Sequence, residues 1–185
     1  TKLGKELRDI LLHTHDHVSP RAEALLYAAD RAHHVDTLIR PALDRGEIVI
    51  TDRYLDSSIA YQGAGRVLSP GEVGRISRWA TEGLTPTLTI IIDLPAEVGI
   101  GRLKSRDRLE SESIAFHERV RQEYLTLSLL DPERYIVIDG RQSIEDIHAA
   151  ITSKVIELRD LNKIEKKPKT KKRIIKKPHL RKSSK

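Results

Sequence analysis

EIVITDRYLDSSIAYQG, residues 47–63, is the stretch whose reading decides the fold. Residues 47–51 have the apolar, β-branched character of a short strand. An acid–arginine pair, Asp52 and Arg53, follows at the strand's carboxyl end. Two hydroxyls (Ser57, Ser58), a phenol and an amide (Tyr61, Gln62) and a glycine (Gly63) come next. Open α/β sheets bind ligands in the crevice outside the carboxyl ends of their strands. The pair is therefore well placed for phosphate and metal chemistry.

Two further apolar runs extend the pattern. LTIIID at 88–93 has the uninterrupted apolar character of a parallel strand covered on both faces. YIVID at 135–139 is a third strand. Helices separate them: Ser69-Pro-Gly-Glu72 is a capping box opening a helix to about residue 82, with Gly83 as its stop. Pro95 opens another to about residue 104, a third spans about 114–129, and Ser143 caps a last one to about residue 161. Before the first strand, Leu3, Leu7, Ile10 and Leu11 predict a helix over 2–12. Ser19-Pro20 starts a second, running to about Asp44 with Gly46 beyond it; Ala22, Leu25, Leu26, Ala29, Ala32, Leu38 and Ile39 form its predicted buried side. Pro41 is expected to disturb its last turn. Strands alternating with helices predict an α/β fold with a doubly wound parallel sheet. Three strands are few for that architecture, and two helices come before the first.

Composition narrows the chemistry. With no cysteine, disulfides and thiolate chemistry are excluded. No apolar run approaches the ~20 residues of a membrane span. The basic balance is local: residues 163–185 hold 12 Lys/Arg and one acid, whereas the residues before them hold 21 bases and 26 acids. That tail is too polar to offset its ordering entropy and is expected to be disordered. It reads equally as an arm for nucleic acid or another polyanion and as an extension without a partner. His13, His15 and His17 alternate as metal ligands can, but no other ligands are fixed nearby, so a polar loop is the plainer reading.

The chain resembles the bacterial thymidylate kinases (dTMP kinases), members of the P-loop nucleoside monophosphate kinases. Five blocks in order carry the resemblance: TKLGKELRDILL (1–12), EALLYAADRAHHV (23–35), IVITDRYLDSSIAYQGAGR (48–66), LTPTLTIIIDLPAEVGIGR (84–102) and DRLESESIAFHERVRQEYL (107–125). The resemblance implies phosphorylation of dTMP to dTDP by ATP with Mg²⁺, in a cytoplasmic homodimer. It implies that Tyr27 stacks on thymine, that Arg31 donates to the base edge, and that Arg53 grips the dTMP phosphate. Ser58, Tyr61 and Gln62 occupy positions lining base and sugar. Asp52 resembles the carboxylate that organises the phosphates and, indirectly, the magnesium shell. Arg102, Lys104, Arg106 and Arg108 resemble a lid, residues 102–112, whose arginine stabilises the transferring phosphoryl. No G-x-x-x-x-G-K-[ST] occurs in residues 1–185. The expectation is therefore a kinase domain over 1–162 lacking the family's first two strands and P-loop, and poorly active alone. The alternatives are another nucleotide kinase of this fold, or a non-catalytic remnant whose tail binds nucleic acid.

Overall fold

The computed structural model describes residues 1–13, 17–103 and 105–165. Residues 1–143 form one compact unit and a second begins at Ile144. The first opens with α1, Lys2–His13. In α2, Pro20–His34, the Ser19 hydroxyl accepts from the Ala22 amide, and Pro20 stands where its missing N–H costs nothing. The helix continues through a π-helical turn, Val35–Ile39, into α3, Arg40–Asp44. Pro41 explains the wide turn. It has no N–H to offer the preceding turn, and the Arg40 amide reaches five residues back to the Val35 carbonyl. Gly46, at φ +78°, turns the chain away.

Residues 47–51, expected as the first strand, form none in the structure. They find no sheet partner among the described residues, and Ile48 and Ile50 are 82% and 92% exposed. A strand is defined by its neighbour, and an apolar alternation alone cannot supply one. After them come α4 (Leu55–Ser58), a second π-helical segment (Ile59–Gly65) and α5 (Pro70–Ala80), whose first turn the Ser69 hydroxyl caps at the Glu72 amide.

Among the described residues the sheet has two strands, β1 (Thr89–Asp93) and β2 (Tyr135–Asp139), paired in parallel from Thr89–Tyr135 to Asp93–Asp139. Between them lie α6, Ala96–Gly101, and α7, Ile114–Leu130, the latter capped by Ser113. The parallel pairing is as expected, but the cover is not complete. Ile90, Ile92 and Val137 are 37%, 51% and 43% exposed.

The main core cluster is helical. Leu11, Leu12, Ala60, Leu109, Phe116 and Val120 are buried together, with Leu26, Tyr27, Tyr61 and Tyr124 packed on them. The two N-terminal helices thus pack without a sheet beneath them. The predicted buried side of α2 needs correction. Ile39 is buried as expected, and so are Ala24, Ala28 and Val35, whereas Leu25 and Leu38 are 56% and 49% exposed. The helix is rotated so that Glu23, with no exposed surface, points inward. A buried carboxylate is tolerated only when paired, and its partners come from distant segments.

In the second unit, α8 runs Ile144–Glu165, past the expected end near residue 161 and into the first residues of the expected disordered tail. No glycine or proline intervenes before Pro168 to stop it. Residues 166–185, and with them the expected polyanion-binding arm, lie outside the described residues. Among the described residues no helix is long and apolar enough to cross a membrane.

Candidate functional site

Glu23, Tyr27 and Arg31 follow one another at four-residue steps, so α2 aligns them on one face. That face meets the helical segment 55–65 through two polar rungs. Arg31 Nη1 donates to Ser58 Oγ at 3.0 Å, and Gln62 Nε2 donates to Glu23 Oε1 at 2.9 Å. Tyr27 stands between the rungs along the helix. Burial and, secondarily, the charge of Glu23 push its phenol up to about 12. Burial lowers the pKa of Arg31, whose guanidinium lies 5.7 Å from the Tyr54 ring centre.

Arg53 occupies the left-handed region, φ +64°, uncommon for a residue with a side chain. Its guanidinium lies over the Tyr61 ring, 4.7 Å from the centroid. Ser57, which sequence alone left without a role, shares a 2.6 Å hydrogen bond with the Tyr124 hydroxyl of α7. Desolvation raises that phenol to about 12. Asp52 is exposed and makes no ion pair among the described residues.

The predicted lid residues do not gather at one point. Arg108 is tied down: Nε donates to the Leu11 carbonyl at 2.7 Å and Nη2 to Glu23 Oε2 at 2.6 Å. Asp107 Oδ1 accepts from the amides of Leu109 and Glu110, closing a turn whose Leu109 is buried. Among the described residues the Arg102 side chain reaches only the Gly140 carbonyl, at 3.4 Å. Arg106 is exposed, with no hydrogen bond or ion pair among the described residues. Lys104 lies outside the described residues.

Glu23 joins these parts. Arg66 donates to both its oxygens at 3.2 Å, beside Gln62 and Arg108, and Arg66 also pairs with Glu112. Burial alone would raise the Glu23 pKa, but the hydrogen bonds from Arg66, Gln62 and Arg108 hold it below the usual carboxylate range. A cavity of about 170 Å³ adjoins this knot, lined by His17, Val18, Pro20, Arg66, Arg108 and Glu112. A second, of about 260 Å³, sits at the strand ends, where Asp93 and Asp139 lie side by side. Arg121 grips Asp93 in two bonds of 2.7 and 2.9 Å, and Arg141 closes on Asp139 at 2.7 Å. Among the described residues no three His, Asp or Glu side chains cluster as a metal site. Of the alternating histidine motif, His15 and its neighbour Asp16 lie outside them.

Residues 1–151 match the family described as thymidylate kinase. The thymidylate kinase of Clavibacter michiganensis subsp. michiganensis is 56% identical over 158 residues, spanning 83% of this chain and 75% of the relative. The chain belongs to the thymidylate kinase family. The thymidylate kinase of Leifsonia xyli subsp. xyli is 57% identical over 155 residues, 82% of this chain and 73% of its own length. That of Bifidobacterium longum (strain DJO10A) is 52% identical over 163 residues, 85% and 79% respectively. Family membership implies the nucleoside monophosphate kinase fold, and a parallel sheet among helices agrees with it. Sequence reasoning missed Glu23, Arg66 and Tyr124. Glu23 carried a signal, since it stands one helical step before Tyr27 and Arg31.

Proposed function

We propose that this chain phosphorylates dTMP to dTDP at the expense of ATP, and that α2 and residues 52–65 form its dTMP site. The observation that carries the reading is the pair of rungs flanking Tyr27, in a chain of this family. Tyr27 supplies a flat surface for a pyrimidine. Arg31, its charge kept by a weak neutral partner in Ser58, is a donor for a carbonyl on the base edge. Tyr61 and Gln62 border the base and sugar, and Arg53 offers a planar fork to the phosphate. The cation–π contact with Tyr61 keeps that fork at the site before any nucleotide arrives.

Phosphoryl transfer depends mainly on positioning and on stabilising developing charge. Of the lid arginines, Arg108 spends its guanidinium on Glu23 and Leu11, whereas Arg106 has no competing partner. Arg106 is therefore the arginine assigned to the transferring phosphoryl. Magnesium bound with ATP takes most of its ligands from phosphate and water. Asp52, exposed and unpaired, fits a single carboxylate reaching that shell. When bound, the ion neutralises phosphate charge. Residues 1–185 contain no Walker-type phosphate loop, so turnover by these residues alone is expected to be low. Leu25 on α2 and Ile10 on α1, 56% and 48% exposed, are open apolar positions for the homodimer the family leads us to expect.

Competition calorimetry tests the reading. dTMP is expected to bind at least about tenfold more tightly than dGMP, since only a pyrimidine carbonyl meets Arg31 with Tyr27 beneath. Equal binding of the two would overturn it.

A further inference from the structure

Glu23 has a chemical consequence beyond holding segments together. An ionised carboxylate only accepts hydrogen bonds, so the group Gln62 turns toward it must be the NH₂. The amide orientation follows from chemistry as well as from the coordinates. Glu23 is ionised because Arg66 and Arg108 approach it at 3.2 and 2.6 Å in a site with no solvent exposure. Both carboxylate oxygens are engaged: Oε1 accepts from Gln62 and Arg66, and Oε2 from Arg66 and Arg108. The Gln62 carbonyl oxygen accepts no side-chain hydrogen bond among the described residues.

We propose that Glu23 is a positioning residue for nucleobase selection: it locks the Gln62 amide with its carbonyl turned to the base, so that the site accepts a ring N–H. The proposal rests on the dTMP reading above. Thymine presents an N3–H donor beside the O4 acceptor; cytosine presents an N3 acceptor beside an amino donor. A fixed carbonyl from Gln62 and a fixed donor from Arg31 match the first and oppose the second. Free to turn, the Gln62 amide would offer its NH₂ to cytosine as readily. The same carboxylate fixes Arg108 of the lid segment, so the base-reading amide and the root of the lid share one anchor. Thymine–cytosine discrimination therefore depends on a residue that touches neither base.

The test compares dTMP and dCMP binding by calorimetry in the chain and in Glu23→Gln. In the unchanged chain dTMP is expected to bind more tightly by about tenfold or more. In Glu23→Gln, residue 23 can itself donate, Gln62 is no longer locked, and the ratio is expected to shrink about tenfold. A purely structural Glu23 would weaken both nucleotides equally and keep the ratio, overturning the proposal while leaving the dTMP site intact. Absence of dTMP binding by the unchanged chain would overturn both readings. Because Glu23→Gln leaves Arg108 without a counter-charge and Arg66 with Glu112 alone, and is prone to unfold, a second measurement uses the unchanged chain. The Gln62 side-chain amide protons, identified by their loss in Gln62→Leu, are followed by NMR. They are expected to exchange slowly both free and with dTMP bound. Rapid exchange in the dTMP complex would mean that the amide has turned, and would refute the lock.

Discussion

Arg53 combines an unfavourable backbone with a proposed phosphate contact, and two substitutions separate the terms. At φ +64° a residue bearing a Cβ costs roughly 1–2 kcal/mol, a cost glycine does not bear. Arg53→Ala keeps that cost and loses the cation–π contact with Tyr61, worth about 0.5–1 kcal/mol at an exposed position. Arg53→Gly loses the same contact but relieves the strain, against about 0.5–1 kcal/mol of extra unfolded-chain entropy. The glycine variant is therefore expected to be more stable than the alanine variant by about 0.5–1 kcal/mol. In a chain of 185 residues each kcal/mol moves the melting temperature by about 2–4 °C. Binding should not separate them. Both lose the guanidinium, and with it a charge-assisted pair of bonds to phosphate of about 1.5–3 kcal/mol, a roughly 10–100-fold loss of dTMP affinity. Differential scanning fluorimetry and calorimetry on the same preparations read the two effects. A higher melting temperature for the alanine variant would refute the strain at Arg53, and native-like dTMP binding by either variant would refute its phosphate contact.

Asp56, 3% exposed, is held by Arg134 in two bonds of 2.8 and 3.1 Å, so Asp56→Asn should cost about 3–5 kcal/mol in urea unfolding; a loss under about 1 kcal/mol would make the pair dispensable. The depressed Glu23 pKa gives a signed pH dependence. A carboxylate whose folded pKa lies below its unfolded value stabilises above that unfolded value, near 4.5, and loses the contribution as pH falls through the folded one. The melting-temperature gap between the native chain and Glu23→Gln should be widest near neutrality and narrow below about pH 4.5; a gap independent of pH contradicts the pairing. A Cβ on Gly63 would stand 2.9 Å from the Pro70 Cα, a backbone atom, so Gly63→Ala should destabilise by about 1–3 kcal/mol; a neutral result would show that the turn before α5 yields freely.

Local chemistry made much of this fold legible. Ser19-Pro20 and Ser69-Pro70 announced α2 and α5 because caps act within one turn. Tyr135–Asp139 matched its apolar run, and Thr89–Asp93 began one residue inside its own. What failed depended on distant partners. Residues 47–51 have a strand's composition but no pairing among the described residues. The inward face of α2 was misread because only apolar residues were placed on it, and Glu23 is buried there. Its burial is licensed by Arg66 and Arg108, 43 and 85 residues further along the chain. Tyr124 lay outside the expected site for a related reason: it reaches Ser57 across 67 residues. Within the site, the spacing of Tyr27 and Arg31 was readable, since helical period fixes it. That Arg108 is anchored while Arg106 stays open was not, because four basic residues in one segment look alike until their partners are known.

The most direct test of the central claim is the structure of this chain with dTMP bound. The thymine ring is expected against Tyr27 with O4 toward Arg31 and N3–H toward the Gln62 carbonyl, and the phosphate on Arg53. A nucleotide bound instead in the strand-end cavity between Asp93 and Asp139, with α2 and residues 52–65 empty, would contradict it.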